Sequence, residues 1–143
     1  MHIGGVMRVK LVTAGPDQTA AEAIRTMLDA GVGSVLVVDG PELVGIFTER
    51  DVLRLAGAGA SFGTTVVRDV MTPSPLSVSS DVSILDAAQM MGERNVRHLP
   101  VVEGGNLVGV VSIRDVLGFL AERLWAERDE AAHDTARALL DRH

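Results

Sequence analysis

Thr48-Glu49-Arg50-Asp51 and Ser112-Ile113-Arg114-Asp115 each gather a hydroxyl, a guanidinium and a carboxylate within four residues. Such a set can hold a phosphorylated sugar. A hydroxyl where a strand runs into a helix stands beside helix-terminal N–H groups, a natural phosphate site. A carboxylate one turn later accepts hydrogen bonds from both ribose hydroxyls, and the arginine offsets phosphate charge. The same four residues also read as a capping box, with Asp in place of the commoner Glu or Gln, and a capping box needs no ligand. Spacing alone favours capping, and the two roles can alternate with occupancy.

These tetrapeptides belong to a longer duplication at a constant offset of 64 positions, without gaps. Gly45-Ile46-Phe47-Thr48-Glu49-Arg50-Asp51-Val52-Leu53 returns as Gly109-Val110-Val111-Ser112-Ile113-Arg114-Asp115-Val116-Leu117. Upstream, Val6-Met7 falls on Val70-Met71, Asp17 on Asp81, Met27 on Met91 and Val37-Val38 on Val101-Val102. Residues 6–54 set against 70–118 share 16 identities in 49 positions, so one folding unit is used twice.

Each copy predicts the same elements. A short apolar strand comes first, over Lys10–Ala14 or Pro75–Ser79. A helix follows, opened by Thr19-Ala20-Ala21-Glu22 or Ser83-Ile84-Leu85-Asp86, with Ala20, Ala23, Ile24, Met27 and Leu28, or Ile84, Ala87, Ala88 and Met91, on its buried face. A hairpin comes next, turning at Asp39-Gly40-Pro41-Glu42 or Glu103-Gly104-Gly105-Asn106. Its near-continuous apolar strands suggest a sheet mostly covered by helices. A second helix starts at Thr48 or Ser112 and closes the unit. Gly57–Gly63 has the composition of a flexible linker.

Beyond Leu120 an apolar stripe (Leu124, Ala132, Ala136, Leu139, Leu140) interleaves with six acidic residues (Glu122, Glu127, Asp129, Glu130, Asp134, Asp141) and four arginines (Arg123, Arg128, Arg137, Arg142). That describes an amphipathic helix lacking the positive excess of a membrane binder. It can pack on its own domain or pair with a second copy.

Composition narrows the function. With 47% hydrophobic residues but three Phe, one Trp and no Tyr, the core is aliphatic and base-stacking platforms are missing. A net charge of −6 opposes a nucleic-acid footprint, so no nucleic-acid partner is expected. The chain has no cysteine, hence no disulfide and no thiolate chemistry. The opening residues lack a signal-peptide stretch and no run approaches a membrane span, so no membrane insertion and a cytoplasmic location are expected. The four histidines, His2, His98, His133 and His143, show no metal-ligand spacing. No Gly-x-Ser-x-Gly, Walker or Rossmann pattern occurs, which argues against an enzyme.

Gly45–Leu53 and Gly109–Leu117 resemble the signature of the cystathionine-β-synthase (CBS) domain: Gly, an apolar pair, Thr or Ser, two residues, Asp, an apolar pair. Val70-Met71-Thr72-Pro73 and Val96-Arg97-His98-Leu99-Pro100-Val101-Val102 agree with it, and the resemblance covers residues 6–118. It implies a mixed α+β or α/β fold of two β-α-β-β-α repeats paired about a pseudo-twofold axis, a Bateman-type module, plus a C-terminal helix. The corresponding division is 1–58 for the first repeat, 59–66 for the linker, 67–120 for the second repeat and 121–143 for the helix. It further implies clefts between the repeats that take AMP, ADP, ATP or S-adenosylmethionine as a regulatory ligand, homodimerisation, and a regulated partner on another chain.

On this resemblance, Thr48, Arg50, Asp51, Ser112, Arg114 and Asp115 are ligand-binding. Arg97 and His98 fall where nucleotide-sensing members of the family place basic phosphate contacts. Val12, Leu76 and Val78 supply apolar walls for an adenine, though they are equally ordinary strand residues. The positions matching Arg97 and His98 in the first copy are Gly33 and Ser34, which carry no charge. Two unequal clefts are therefore expected, at most one of them a good nucleotide site. The alternative is a ligand-free interaction scaffold.

Overall fold

Thr19 and Ser83 each start a helix as their sequences predict. In a computed structural model describing residues 1–140, α1 spans Ala20–Ala30 and a second helix spans Ile84–Arg94. Leu28, expected on the buried face of α1, is exposed instead: it lies at the margin of the stripe, beyond Ala20, Ala23 and Met27, which are buried. The Glu22 amide donates to Thr19 Oγ1 at 3.2 Å, and the Asp86 amide donates to Ser83 Oγ at 3.0 Å. Both helices stop on a left-handed residue, Gly31 with φ +65° and Asn95 with φ +53°. Glycine adopts that conformation without a Cβ penalty, and asparagine is among the few other residues that tolerate it.

Each helix feeds a hairpin. In the first half β1 (Thr13–Ala14) is followed by α1, β2 (Ser34–Asp39) and β3 (Glu42–Thr48). Then come α2 (Glu49–Gly57), α3 (Val67–Val70), β4 (Thr72–Pro73) and the helix over 84–94, which is α4. The second hairpin is β5 (His98–Glu103) with β6 (Asn106–Ser112), and α5 (Ile113–Leu140) ends the described chain. The two hairpins keep the same register: Ser34 pairs with Thr48 and Asp39 with Glu42, as His98 pairs with Ser112 and Glu103 with Asn106. Even the register shift recurs, between Val37 and Val38 and between Val101 and Val102.

The leading strands are shorter than the sequence predicts. Of Lys10–Ala14 only Thr13–Ala14 pairs with β2, in parallel, and Pro75–Ser79 contributes a single bridge, Val78 to Val101. Proline explains the difference between the halves. The Leu36 amide donates to the Val12 carbonyl at 3.1 Å. Pro100 stands at the matching place and has no N–H to give.

The opening segments of the two repeats are exchanged in space. Ile3, fully buried, packs with Ile84, Met91, Leu99 and Val111 of the second half, joined by Val6 and Met7. Val67 packs with Ala20, Met27, Val35 and Phe47 of the first half, joined by Val70 and Met71. The hydrogen bonds repeat the exchange at the 64-residue offset. The Ile3 amide donates to the Val82 carbonyl as the Val67 amide donates to that of Gln18, at 2.9 and 2.8 Å. Two glycines make room for it. A Cβ on Gly45 would lie 2.3 Å from the Met71 sulfur, and one on Gly109 would lie 2.7 Å from that of Met7.

The exchange also ties down the stretch between the halves. The Phe62 and Thr65 carbonyls accept from the Ala21 and Ala20 amides at 3.0 and 2.8 Å, capping α1. A segment with the composition of a flexible linker thus serves as a helix cap. At the other end, α5 packs through Val116, Phe119 and Leu120, and every residue from Ala121 to Ala131 is exposed, including Leu124 and Trp125. Packing of the tail on its own domain, one of the two readings of its stripe, does not occur over these residues. The direction set by the first two turns of α5 carries the remainder off the body. The stripe residues Ala132, Ala136 and Leu140 lie outside the described side chains, and Asp141 and Arg142 outside the described residues.

Candidate functional site

The turn from β3 into α2 is held by its own side chains. The Thr48 amide donates to Asp51 Oδ2 at 2.9 Å and the Thr48 hydroxyl donates to the same oxygen at 3.2 Å, within a capping box. Asp51 is 7% exposed and is the sole buried charged residue among those described. Its other oxygen, Oδ1, has Arg54 at 4.0 Å. One carboxylate oxygen therefore serves the helix start while the second remains weakly engaged.

That turn forms one wall of a cleft of about 410 Å³, within the ordinary range for a small-molecule site. Gly33, Ile46, Thr48, Glu49, Arg50, Asp51, Leu53 and Arg54 come from the first repeat. Thr72, Pro75, Leu76 and Asn95 through His98 come from the second. The Arg50 guanidinium reaches across to donate to the Asn95 carbonyl at 3.5 Å. The left-handed cap that ends α4 is thus also a contact between the halves. Three arginines, at 50, 54 and 97, face two carboxylates, at 49 and 51, which leaves the cleft receptive to an anion.

His98 is half-buried at the start of β5, and its pKa lies below the usual 6.5. Burial is the main cause, with Arg97 and Arg8 adding to it, while Glu49 and Asp115 pull the other way. Its strand partner is Ser112, which belongs to the other repeated tetrapeptide. A neutral imidazole beside an arginine can gain a proton when a phosphate arrives.

The residues expected to bind ligand divide into groups. Thr48, Arg50, Asp51, Leu76, Arg97 and His98 share this cleft. Ser112, Arg114, Asp115 and Val12 lie elsewhere, around the start of α5 and the first-half edge. There the Ser112 amide donates to Asp115 Oδ2 at 3.1 Å, and the Asp115 amide donates to Ser112 Oγ at 3.1 Å. Val78 is in neither place. It is 8% exposed in the second core, where its amide donates to the Pro100 carbonyl and its own carbonyl accepts from the Val102 amide. The bridge of Val78 to Val101 seats its side chain in the second core, whereas Leu76, two residues earlier and outside any bridge, stays at the cleft. Sequence reasoning missed Glu49, Thr72 and Asn95 as cleft residues. All three differ from their repeat mates Ile113, Arg8 and Gly31, and that asymmetry was their available signal.

The family model of the CBS domain matches residues 3–57 and again 67–122. The chain belongs to the CBS-domain family. Its two matches make it a tandem CBS pair. It is 34% identical over 120 residues to an uncharacterized protein of Methanopyrus kandleri, MK0525; the match covers 82% of this chain and 61% of that one. Among solved structures, a CBS-domain protein of Burkholderia ambifaria MC40-6 superposes with a TM-score of 0.81 at 31% identity, covering 84% of this chain and 93% of that one. CBSX2, solved in complex with AMP, superposes with a TM-score of 0.74 at 29% identity, covering 85% and 96%. No helix among the described residues is long and apolar enough to cross a membrane.

Proposed function

We propose that this CBS pair is a regulatory sensor that binds an adenosine nucleotide in the cleft between its repeats and reports occupancy to a partner protein. One observation carries the reading: a single cleft joins Thr48, Arg50 and Asp51 of the first repeat to Leu76, Arg97 and His98 of the second. The adenine lies on Leu76 and the ribose hydroxyls donate to Asp51. The phosphate meets the Thr48 hydroxyl, Arg97 and His98. The complex of CBSX2 with AMP supports an adenosine nucleotide as the ligand and makes AMP the first to test.

A ligand touching both halves stabilises one arrangement of them, and that shift of population is the signal. The module performs no chemistry of its own, works in the cytoplasm and associates as a homodimer. Melting curves with AMP, ADP, ATP and S-adenosylmethionine test this. A ligand at 100 times its Kd should add about 2.7 kcal/mol of stability. Melting temperatures indifferent to all four at millimolar concentration would sink the reading.

A further inference from the structure

The two capping boxes differ in what remains of their carboxylates. Asp51 gives Oδ2 to the Thr48 amide and hydroxyl, and Oδ1 has Arg54 no nearer than 4.0 Å. Asp115 gives Oδ2 to the Ser112 amide, and its Oδ1 takes Arg8 Nε at 3.5 Å. Arg8 is the repeat mate of Thr72, which lines the nucleotide cleft. The backbone at both positions is held alike. Thr72 pairs with Ile46 on β3, and Arg8 bridges Val110 on β6, with amide-to-carbonyl bonds of 2.8 and 3.0 Å. A long cationic side chain therefore issues from the place where the working cleft has a short hydroxyl.

We propose that Arg8 is a built-in plug: by pairing with Asp115 it closes the repeat-related position at the start of α5, where the duplication leads one to expect a second cleft, to adenosine nucleotides and holds the chain at one ligand. This rests on the reading of the first cleft given above. The guanidinium takes the carboxylate oxygen that a ribose would need, so a nucleotide must first displace it. Ser34, the uncharged repeat mate of His98, offers no imidazole to a phosphate in return. Weak intrinsic binding and an occupied acceptor act together on the same site.

The test is a reciprocal swap read by isothermal titration with AMP on the full chain, folding being checked by circular dichroism. Arg8→Thr should raise the stoichiometry from one to two, with the new site roughly tenfold or more weaker than the first. Thr72→Arg should place the same cation against Asp51 and weaken the first site by several fold. A wild-type chain that binds one AMP and an Arg8→Thr chain that also binds one overturn the plug but not the first cleft. So does a wild-type chain that already binds two. A wild-type chain that binds none overturns the first-cleft reading, and with it the plug unless Arg8→Thr gains a site. Should Arg8→Thr fold poorly, undiminished AMP affinity in Thr72→Arg by itself overturns the plug.

Discussion

Asp51 is asked to do two things, and two substitutions at that position separate them. Asp51→Ala removes the acceptor for both the Thr48 amide and the Thr48 hydroxyl, at 2.9 and 3.2 Å, at the start of a helix only nine residues long. Loss of a cap of this kind costs about 1–2 kcal/mol, and the unmet amide is half-buried, so the upper part of that range applies. For a domain of this length that is a fall of roughly 4–8 °C in melting temperature. Asp51→Asn keeps an oxygen that can accept from the Thr48 amide, and should cost about 0.5–1 kcal/mol. Its amide group, however, cannot replace a charged acceptor for ribose hydroxyls. A hydrogen bond to a charged group contributes about 1.5–3 kcal/mol, so AMP affinity should fall by roughly 10- to 150-fold in both variants. Thermal melts without ligand read the first effect and titration calorimetry with AMP reads the second. If Asp51→Asn binds AMP within about threefold of wild type, Asp51 is a helix cap and nothing more.

Gly45→Ala should destabilise by about 1–3 kcal/mol, because its Cβ would sit 2.3 Å from the Met71 sulfur and 3.0 Å from the Thr72 carbonyl, forcing β4 away from β3. Urea unfolding measures it, and an unchanged midpoint would show that Met71 simply swings aside. His98 gives a pH dependence. Its folded pKa lies below 6.5, so at pH between the two values the unfolded chain holds a proton that the folded chain lacks. Stability should therefore decline as pH falls through 6.5 and level off below the folded pKa. His98→Gln should flatten that decline in melting curves taken between about pH 7.5 and 5.5. An equally steep decline in the variant would place its origin elsewhere.

Local geometry was legible in the sequence to a fine grain. The helix starts at Thr19 and Ser83, the hairpins at Gly40 and Gly104-Gly105 and the capping boxes at Thr48 and Ser112 each depend on residues three or four apart, and each formed where the pattern placed it. The repeat likewise announced one fold used twice, and the break in it at Arg97-His98 marked the cleft that gathers the basic groups.

Long-range choices were not legible, since no short-range pattern encodes them. The exchange of Ile3 and Val67 between cores follows from which surfaces fit, and Gly45 and Gly109 reveal the fit only when Met71 and Met7 lie over them. Val78 reads like a cleft wall until its bridge to Val101 turns it inward. The chain by itself determined the elements and their duplication, because those rest on neighbours in sequence. Only the tertiary structure decided that Asp51 faces a shared cleft while Asp115 faces Arg8, because that contact joins residues more than a hundred positions apart.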